Sequence, residues 1–376
     1  MAASSEYLPR LTVDLDALVH NYHTLAGLTD AAIGAVVKAD AYGLGVAAVA
    51  QSLFAAGCRT FFTAHVDEGI TLRRLVPDAE IILMVPAPFV PAASLLEHRL
   101  VPAIFSYAEA ERLASELPPR QTLPVALHVE TGIHRLALSG DDCRRLTDDG
   151  LPNGLQPVLI MSHLASADDE TSDMTAAQLS QFTDLCERWP GVRRSLANSA
   201  GILANGGLGF DLVRPGIALY GCSAAPTALD GRLRPVATFD VPVLQLRELP
   251  AGVGVGYGAT VVTQRPTRVA VLAGGYADGI NRLAGELDGD DQRAPVAVGA
   301  ARLTYFGRVS MDLAAVDVTD LPTNAVRVGT RCEVFGATVS AAELARHCHT
   351  LPYELLTGIG GRTQRIYTGA EYGSDV

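Results

Sequence analysis

The chain has 376 residues, 48% hydrophobic and 19% charged, so it reads as a folded globular protein with material for one large domain and a smaller one. Its net charge of -12 argues against nonspecific nucleic-acid binding, which needs a basic face. No apolar run is long enough to span a bilayer, and Met1-Ala-Ala-Ser-Ser-Glu-Tyr7 lacks the basic patch and apolar core of a signal peptide, so a cytoplasmic protein with no membrane partner is expected.

Leu8 to Val13 precedes the first helix and can join either of two domains. Ile33 to Val37 is short, apolar and partly β-branched, and reads as a fully buried strand with Lys38 at its exit. Further strand-like runs follow at Thr60 to Ala64, Glu80 to Val85, Leu100 to Phe105, Leu123 to Val129, Leu155 to Met161, Arg193 to Ala197 and Phe210 to Val213, making eight. Amphipathic helices separate them. Ser106-Tyr-Ala-Glu109 and Thr175-Ala-Ala-Gln178 read as capping boxes, and Leu179, Phe182, Leu185, Cys186 and Trp189 repeat at helical spacing. The alternation predicts an α/β fold, a (β/α)8 TIM-type barrel in preference to an open doubly wound sheet.

After about Pro235 the texture becomes β-rich: Thr238 to Arg247, Val253 to Thr263, Arg268 to Leu272, Pro295 to Gly299, Leu303 to Phe306, Ala314 to Val318 and Arg331 to Phe335. A second, mainly β domain is expected over 236–376, after a barrel over 1–235 whose residues before about 14 can belong to the second domain. The six cysteines (Cys58, Cys143, Cys186, Cys222, Cys332 and Cys348) form no Cys-x-x-Cys pair, which suits reduced thiols. His347-Cys348-His349 follows the Ser340-Ala-Ala-Glu343 capping box on a predicted helix, where adjacent residues point different ways, so no metal site is expected.

In a parallel barrel, strand ends open onto the loop face while strand middles are packed shut. Lys38 and Tyr42 follow the first strand; His128, Glu130 and Arg135 end or follow the fifth; His163 follows the sixth; Asn198 and Ser199 the seventh; Arg214 and Gly216 the eighth. Loops after the seventh and eighth strands commonly form a phosphate cup from backbone amides and small hydroxyls. A lysine facing such a cup fits a phosphorylated aldehyde held as a Schiff base. The same residues also fit a sugar phosphate with no cofactor.

The chain further carries Lys38-Ala-Asp-Ala-Tyr-Gly-Leu-Gly45, Glu130-Thr-Gly-Ile-His-Arg135-Leu, Ser162-His163-Leu-Ala-Ser-Ala-Asp168, Ala197-Asn198-Ser199-Ala and Val213-Arg214-Pro-Gly-Ile-Ala-Leu-Tyr-Gly221. Its second half has Val255-Gly-Tyr257-Gly, Gly275-Tyr276-Ala-Asp278-Gly, Gly307-Arg-Val-Ser-Met311-Asp312 and Tyr353-Glu-Leu-Leu-Thr. Together these resemble the motifs of the alanine racemase family, enzymes that use pyridoxal 5'-phosphate, in family order over essentially the whole chain.

The resemblance implies an amino-acid racemase that moves the α-proton of alanine between two faces with two bases. Lys38 would anchor the cofactor and serve as one base. Tyr257, reaching in from the partner subunit of a homodimer, would be the other. Tyr42, Asn198, Ser199, Gly216, Ile217 and Tyr353 would form the phosphate end of the cofactor site, and Arg214 would face the pyridine nitrogen with His163 orienting it. Arg135 would contact the cofactor's phenolic oxygen and the substrate carboxylate, which the backbone amide of Met311 would bind from the partner chain. Tyr276 and Tyr353 would narrow the entrance, and Asp312 would support the Met311 segment. A free tyrosine has a pKa of about 10 and a free lysine about 10.4, so a neighbouring cation and partial burial are expected to favour the neutral form of Lys38.

Four positions depart from the family pattern: Asp40, Leu44 and Glu130, and His128 where many members have a carbamylated lysine that positions the arginine matching Arg135. Imidazole forms no stable carbamate, so Arg135 must be held by an anion or another side chain. A racemase preferring another small amino acid such as serine, a pyridoxal-dependent decarboxylase of the same architecture, a noncatalytic cofactor carrier and a cofactor-free barrel enzyme are the alternatives.

Overall fold

A computed structural model describes residues 5–85, 89–169, 171–204, 208–222, 231–286 and 293–369. Met1 to Ser4, on which part of the leader expectation rests, and the last seven residues of the expected second domain, 370–376, lie outside them.

Strand β1 (Arg10–Asp14) comes first, and eight strands follow: β2 (Ala32–Val36), β3 (Thr60–Thr63), β4 (Glu80–Leu83), β5 (Leu100–Ile104), β6 (Leu123–His128), β7 (Leu155–Met161), β8 (Arg193–Ser195) and β9 (Leu212–Val213). These eight form one parallel sheet in the order β8-β7-β6-β5-β4-β3-β2-β9. Every residue of β3 and β5 is buried, because helices cover the outside and side chains fill the inside, and this is why parallel strands read as unbroken apolar runs. Between β8 and β9 the Asp211 amide donates to the Arg194 carbonyl at 3.1 Å and the Arg214 amide to the Ala197 carbonyl at 2.9 Å, which nearly closes the barrel. Gly34 on β2 makes room inside: a Cβ there would lie 2.5 Å from the Phe62 ring.

The rest of the chain supplies β10 (Ala237–Leu249), β11 (Gly254–Val255), β12 (Val261–Val262), β13 (Thr267–Leu272), β14 (Pro295–Val298), β15 (Ala301–Thr304), β16 (Ala314–Asp317), β17 (Arg331–Phe335) and β18 (Gln364–Thr368). A second sheet runs β15-β14-β17-β10-β1-β18, with β13 bridging β10 and β16. Strand β1 therefore belongs to this mainly β part, antiparallel to β10 and parallel to β18. Arg10 on β1 and Arg331 on β17 both donate to Asp240 on β10, cross-tying three strands.

Locally the structure refines one expectation, adds one strand and corrects one cap. The β-rich run Val253 to Thr263 is the hairpin β11–β12, folded around a 3-10 turn at Tyr257–Ala259, because Gly256 and Gly258 take φ of 72° and 73°. Strand β18 is an addition, unmarked in sequence because none of its residues is buried at the sheet edge. Thr175 and Gln178 form no capping box; Asp173 precedes the helix Met174–Cys186, and the Gln178 side chain turns into the core.

The two parts meet at the loop after Lys38. From β18, Arg365 Nε donates to the Gly43 carbonyl at 2.9 Å and the Tyr367 hydroxyl to the Leu44 carbonyl at 3.0 Å. Gly45 has a φ of 99°, and a Cβ there would lie 1.9 Å from Tyr367 Oη. Gly45→Ala is therefore expected to lower unfolding free energy by about 1–3 kcal/mol in a urea titration. Adding Tyr367→Phe should recover part of that loss; strictly additive effects of the two changes would show that the close approach is not its cause.

Candidate active site

Lys38 leaves β2 on a turn of unusual hand. Ala39, Asp40, Ala41 and Tyr42 have φ of 53°, 54°, 54° and 59°, so four consecutive L-residues form one left-handed helical turn, ended by Gly43 at 81°. Each such residue costs roughly 1–2 kcal/mol, so the turn persists only because its surroundings hold it. The Ala41 amide bonds the Val37 carbonyl at 2.9 Å and the Gly43 amide bonds Ala39 at 2.8 Å. Asp40 Oδ1 accepts from the Val46 amide at 2.7 Å, and Glu68 Oε1 accepts from the Ala39 amide at 2.7 Å. Asp40, a departure from the family pattern, thus braces the exit of the turn.

The groups sensed by Lys38 come from different strands. Burial first, then the Arg135 guanidinium, pushes its amine below the ordinary lysine value, while Glu68 pulls it back up. His163 is pushed down to about 3 by burial and then by Arg214, Arg135, His128 and Lys38. His128 is likewise near 3, through burial and then Arg214 and Arg135, and its Nδ1 is buried without a hydrogen bond. Both imidazoles are neutral at pH 7. Arg135 is exposed and forms no ion pair or hydrogen bond among the described residues.

Arg214 is buried, and burial lowers it only to about 10, so it stays cationic. Its Nη1 donates to the Ser195 carbonyl at 2.8 Å and hydroxyl at 2.6 Å, and its Nη2 to the Ser162 and Leu196 carbonyls. These carbonyls, rather than a bond from His163, hold the guanidinium, and Nε has no acceptor among the described residues. Behind them lies a polar network that sequence reasoning missed. Gln178 donates to the His163 carbonyl at 2.9 Å and to Thr131 Oγ1 at 3.2 Å, which bonds Ser162 Oγ at 2.7 Å. The available signal was a glutamine in line with Phe182 and Cys186 on the buried face of its helix.

The structure brings together the residues expected to form the cup. Ser199 Oγ accepts from the amides of Gly216 at 3.0 Å and Ala218 at 3.2 Å, with Ile217 between them. Gly216 allows the close approach of Tyr42, whose hydroxyl would lie 2.3 Å from a Cβ at that position. The rings of Tyr42 and Tyr353 stand 6.0 Å apart, and burial, then Tyr353, raises the Tyr42 phenol, which keeps its proton as a donor. Asn198 is used locally: its side chain caps the helix Ser199–Leu203 through the Gly201 amide at 2.9 Å.

The remaining expected residues sit apart, on the surface of the β-rich part. Tyr257 is 71% exposed at the hairpin tip, Met311 53% and Tyr276 44%. Tyr276 and Met311 share a platform, the Tyr276 amide bonding the Ser310 carbonyl and the Ala277 amide the Met311 carbonyl, each at 3.0 Å. Asp312 pairs with Arg362 at 2.6 Å, which also grips buried Asp278. No hydrogen bond or charge interaction joins Tyr257 to Lys38 within the chain, among the described residues.

One further signal was present in the sequence: Lys38 is the only lysine of the chain. A phosphorylated pyridoxal needs one amine, a phosphate cup and a donor for its ring nitrogen. The sole lysine, the Ser199–Gly216 loops with the Tyr42 hydroxyl, and the open Nε of buried Arg214 meet those needs, so the residues fit that group.

The family described as "Alanine racemase, N-terminal domain" matches residues 13–224, and "Alanine racemase, C-terminal domain" matches 236–367. The chain is 43% identical to the alanine racemase of Rhizobium meliloti over 96% of this chain and 97% of that one. It is 40% identical to the biosynthetic alanine racemase of Agrobacterium fabrum over 96% and 94%. Among solved structures, the alanine racemase of Bartonella henselae with covalently bound pyridoxal phosphate superposes with a TM-score of 0.88 at 32% identity, covering 96% and 99%.

The two depressed imidazoles set an acid limit. An unfolded histidine takes a proton near pH 6.5, whereas in the fold both wait until about 3, so the unfolded chain binds more protons in that window and stability falls as pH drops through it. His128→Asn should flatten the fall in urea midpoint between pH 6.5 and 5, before carboxylates titrate. Parallel curves for variant and parent would mean that His128 is not the neutral group described.

Proposed function

The chain belongs to the alanine racemase family, and from that premise we propose that it interconverts L-alanine and D-alanine with pyridoxal 5'-phosphate, Lys38 and Tyr257 being the two bases. The observation that carries this reading is the placement of the chain's only lysine: on a strained strand-end turn, under the field of Arg135, in a barrel mouth that also holds Arg214 and the Ser199–Gly216 cup.

When bound, the cofactor supplies the electron sink that delocalises the charge left on Cα after proton removal. The protein's part is to bind, aim and move protons. The Ser199 hydroxyl, the Gly216 and Ile217 backbone, Tyr42 and Tyr353 would hold the phosphate, with Asn198 fixing the loop. Arg214 would offer Nε–H to the ring nitrogen, and since a guanidinium does not give up its proton, that nitrogen would stay unprotonated. The expected consequence is fewer side reactions such as transamination. His163, neutral, would keep the pocket wall uncharged. Arg135 would take the substrate carboxylate together with the Met311 amide, and Tyr276 with Tyr353 would restrict the entrance to small side chains. Lys38 Nζ would take or return the proton on one face and Tyr257 Oη on the other. Lowering the amine below the ordinary lysine range raises the share of base near neutral pH.

Tyr257, Met311 and Tyr276 are exposed on the β-rich part, and no hydrogen bond joins Tyr257 to Lys38 among the described residues, which supports a homodimer whose subunits exchange these residues. In this reading the barrel ends near residue 235 and the remainder serves the partner's site. No helix among the described residues is long and apolar enough to cross a membrane, and a cytoplasmic enzyme supplying D-alanine, a precursor for the cell wall, fits. Arg135 makes no ion pair among the described residues, which supports an anion from solution beside it, where His128 offers no carbamate.

Circular dichroism of alanine solutions should show loss of rotation with the parent enzyme and none with Lys38→Ala. Retained rotation with the parent at catalytic concentration overturns the assignment. Tyr257→Phe should impair proton removal from L-alanine more than from D-alanine; equal deuterium isotope effects in that variant count against two distinct bases. Mixing Lys38→Ala and Tyr257→Phe subunits should restore roughly a quarter of parent activity, since in mixed dimers one of two sites regains both bases. No recovery would mean that each site is built within one subunit.

A further inference from the structure

The turn that carries Lys38 is gripped at its first peptide by a residue from another strand-helix unit. Glu68 stands in the first turn of the helix Val66–Leu75, where a glutamate ordinarily reaches back to the preceding amide and goes no further. Here its Oε2 accepts from the Ala64 amide at 2.8 Å, the His65 amide at 3.1 Å and the Thr63 hydroxyl at 2.9 Å. Its Oε1 is left for the Ala39 amide alone, at 2.7 Å. One carboxylate thus bolts the end of β3 to the start of the left-handed turn.

The electrostatics run in parallel. Burial pushes the Glu68 carboxyl up, but the hydrogen bonds from His65, Ala39, Ala64 and Thr63 outweigh it, so Glu68 stays ionised. The charged and titratable groups coupled to Lys38 are Arg135 from the loop after β6, His163 from the end of β7 and Glu68 from this helix. Of these, Glu68 is the anion.

We propose that Glu68 is a positioning residue for Lys38: it clamps the left-handed turn at Ala39 and sets a negative charge against Arg135, so that the aim of the amine and its protonation are fixed by one side chain. The proposal rests on Lys38 being the cofactor amine and base, and its test is read on the lysine itself.

Because the chain has one lysine, labelling lysine with 15N at Nζ gives a single side-chain signal that can be titrated by NMR in the cofactor-free protein. In Glu68→Gln the midpoint moves to lower pH, because Arg135 is then unopposed, and the acid limb of kcat/KM moves the same way. Asp67→Asn removes the adjacent exposed carboxylate and leaves the midpoint where it was. Glu68→Asp keeps the charge but shortens the reach; the midpoint holds, hydrogen-exchange protection of the Ala39 amide is lost, and kcat/KM falls roughly tenfold. An unmoved midpoint in Glu68→Gln overturns the proposal even where activity falls, since a weakened helix start lowers stability without touching the amine. Kept protection of Ala39 in Glu68→Asp overturns it as well, including where Glu68→Gln fails to fold. A shifted midpoint in a parent protein that does not racemise alanine would sink the functional reading and leave the clamp standing.

Discussion

A left-handed turn of four L-residues, at roughly 1–2 kcal/mol each, is a debt that a loop on the rim of a barrel cannot carry alone. At Ala39 to Tyr42 it is offset from three directions: Glu68 behind β3, Asp40 closing onto Val46, and the β-rich part pressing from above. That last support explains a topological detail. Strands β1 and β18, from opposite ends of the chain, pair side by side, and β18 delivers Arg365 and Tyr367 onto the carbonyls of Gly43 and Leu44. Glycines stand at 43 and 45 because the approach leaves no room for a side chain and the backbone takes positive φ.

Once Lys38 is aimed, the surrounding charges decide its proton. Four groups able to be cationic, Lys38, Arg135, His128 and His163, act on one another around Arg214, with Glu68 and Glu130 opposing. The least costly way to keep them together is for the groups with the lowest intrinsic basicity to go neutral, and both imidazoles do so. Arg214 keeps its charge despite burial because carbonyl oxygens hold its terminal nitrogens. The Gln178–Thr131–Ser162 network fixes the strand ends that carry those carbonyls.

The barrel was legible because fully buried strands are apolar throughout, as in Thr60–Thr63 and Leu100–Ile104, and the polar residues that follow such strands mark the mouth. The run Val253 to Thr263 read only as β-rich because its valines alternate acceptably, and the turn within it comes from the positive φ of Gly256, Gly258 and Ala259. The left-handed turn left little trace: of its four residues only Asp40 is of a type that visits positive φ readily, and then as a single residue, so the run of four has its cause in contacts from distant segments. Glu68 was invisible for the same reason, since a glutamate at a helix start looks complete as a cap. Tyr257 and Met311 were placed by family motif, and nothing in the residues themselves shows which molecule they face.

The chain's use of arginine bears on the same chemistry. Lysine and arginine together number 29, and one is lysine. An aldehyde cofactor condenses with a neutral amine, whereas a guanidinium stays protonated and does not compete. Charge duties that either cation can perform, such as gripping Asp240 or Asp278, fall to arginine here, leaving Lys38 as the only side-chain amine. His128 belongs to this pattern. A lysine in its place would be a second half-buried amine in the barrel, and histidine packs against Phe105 while remaining neutral. Arg135, by contrast, is left exposed and makes no ion pair among the described residues, so the fold itself does not fix the direction of its guanidinium.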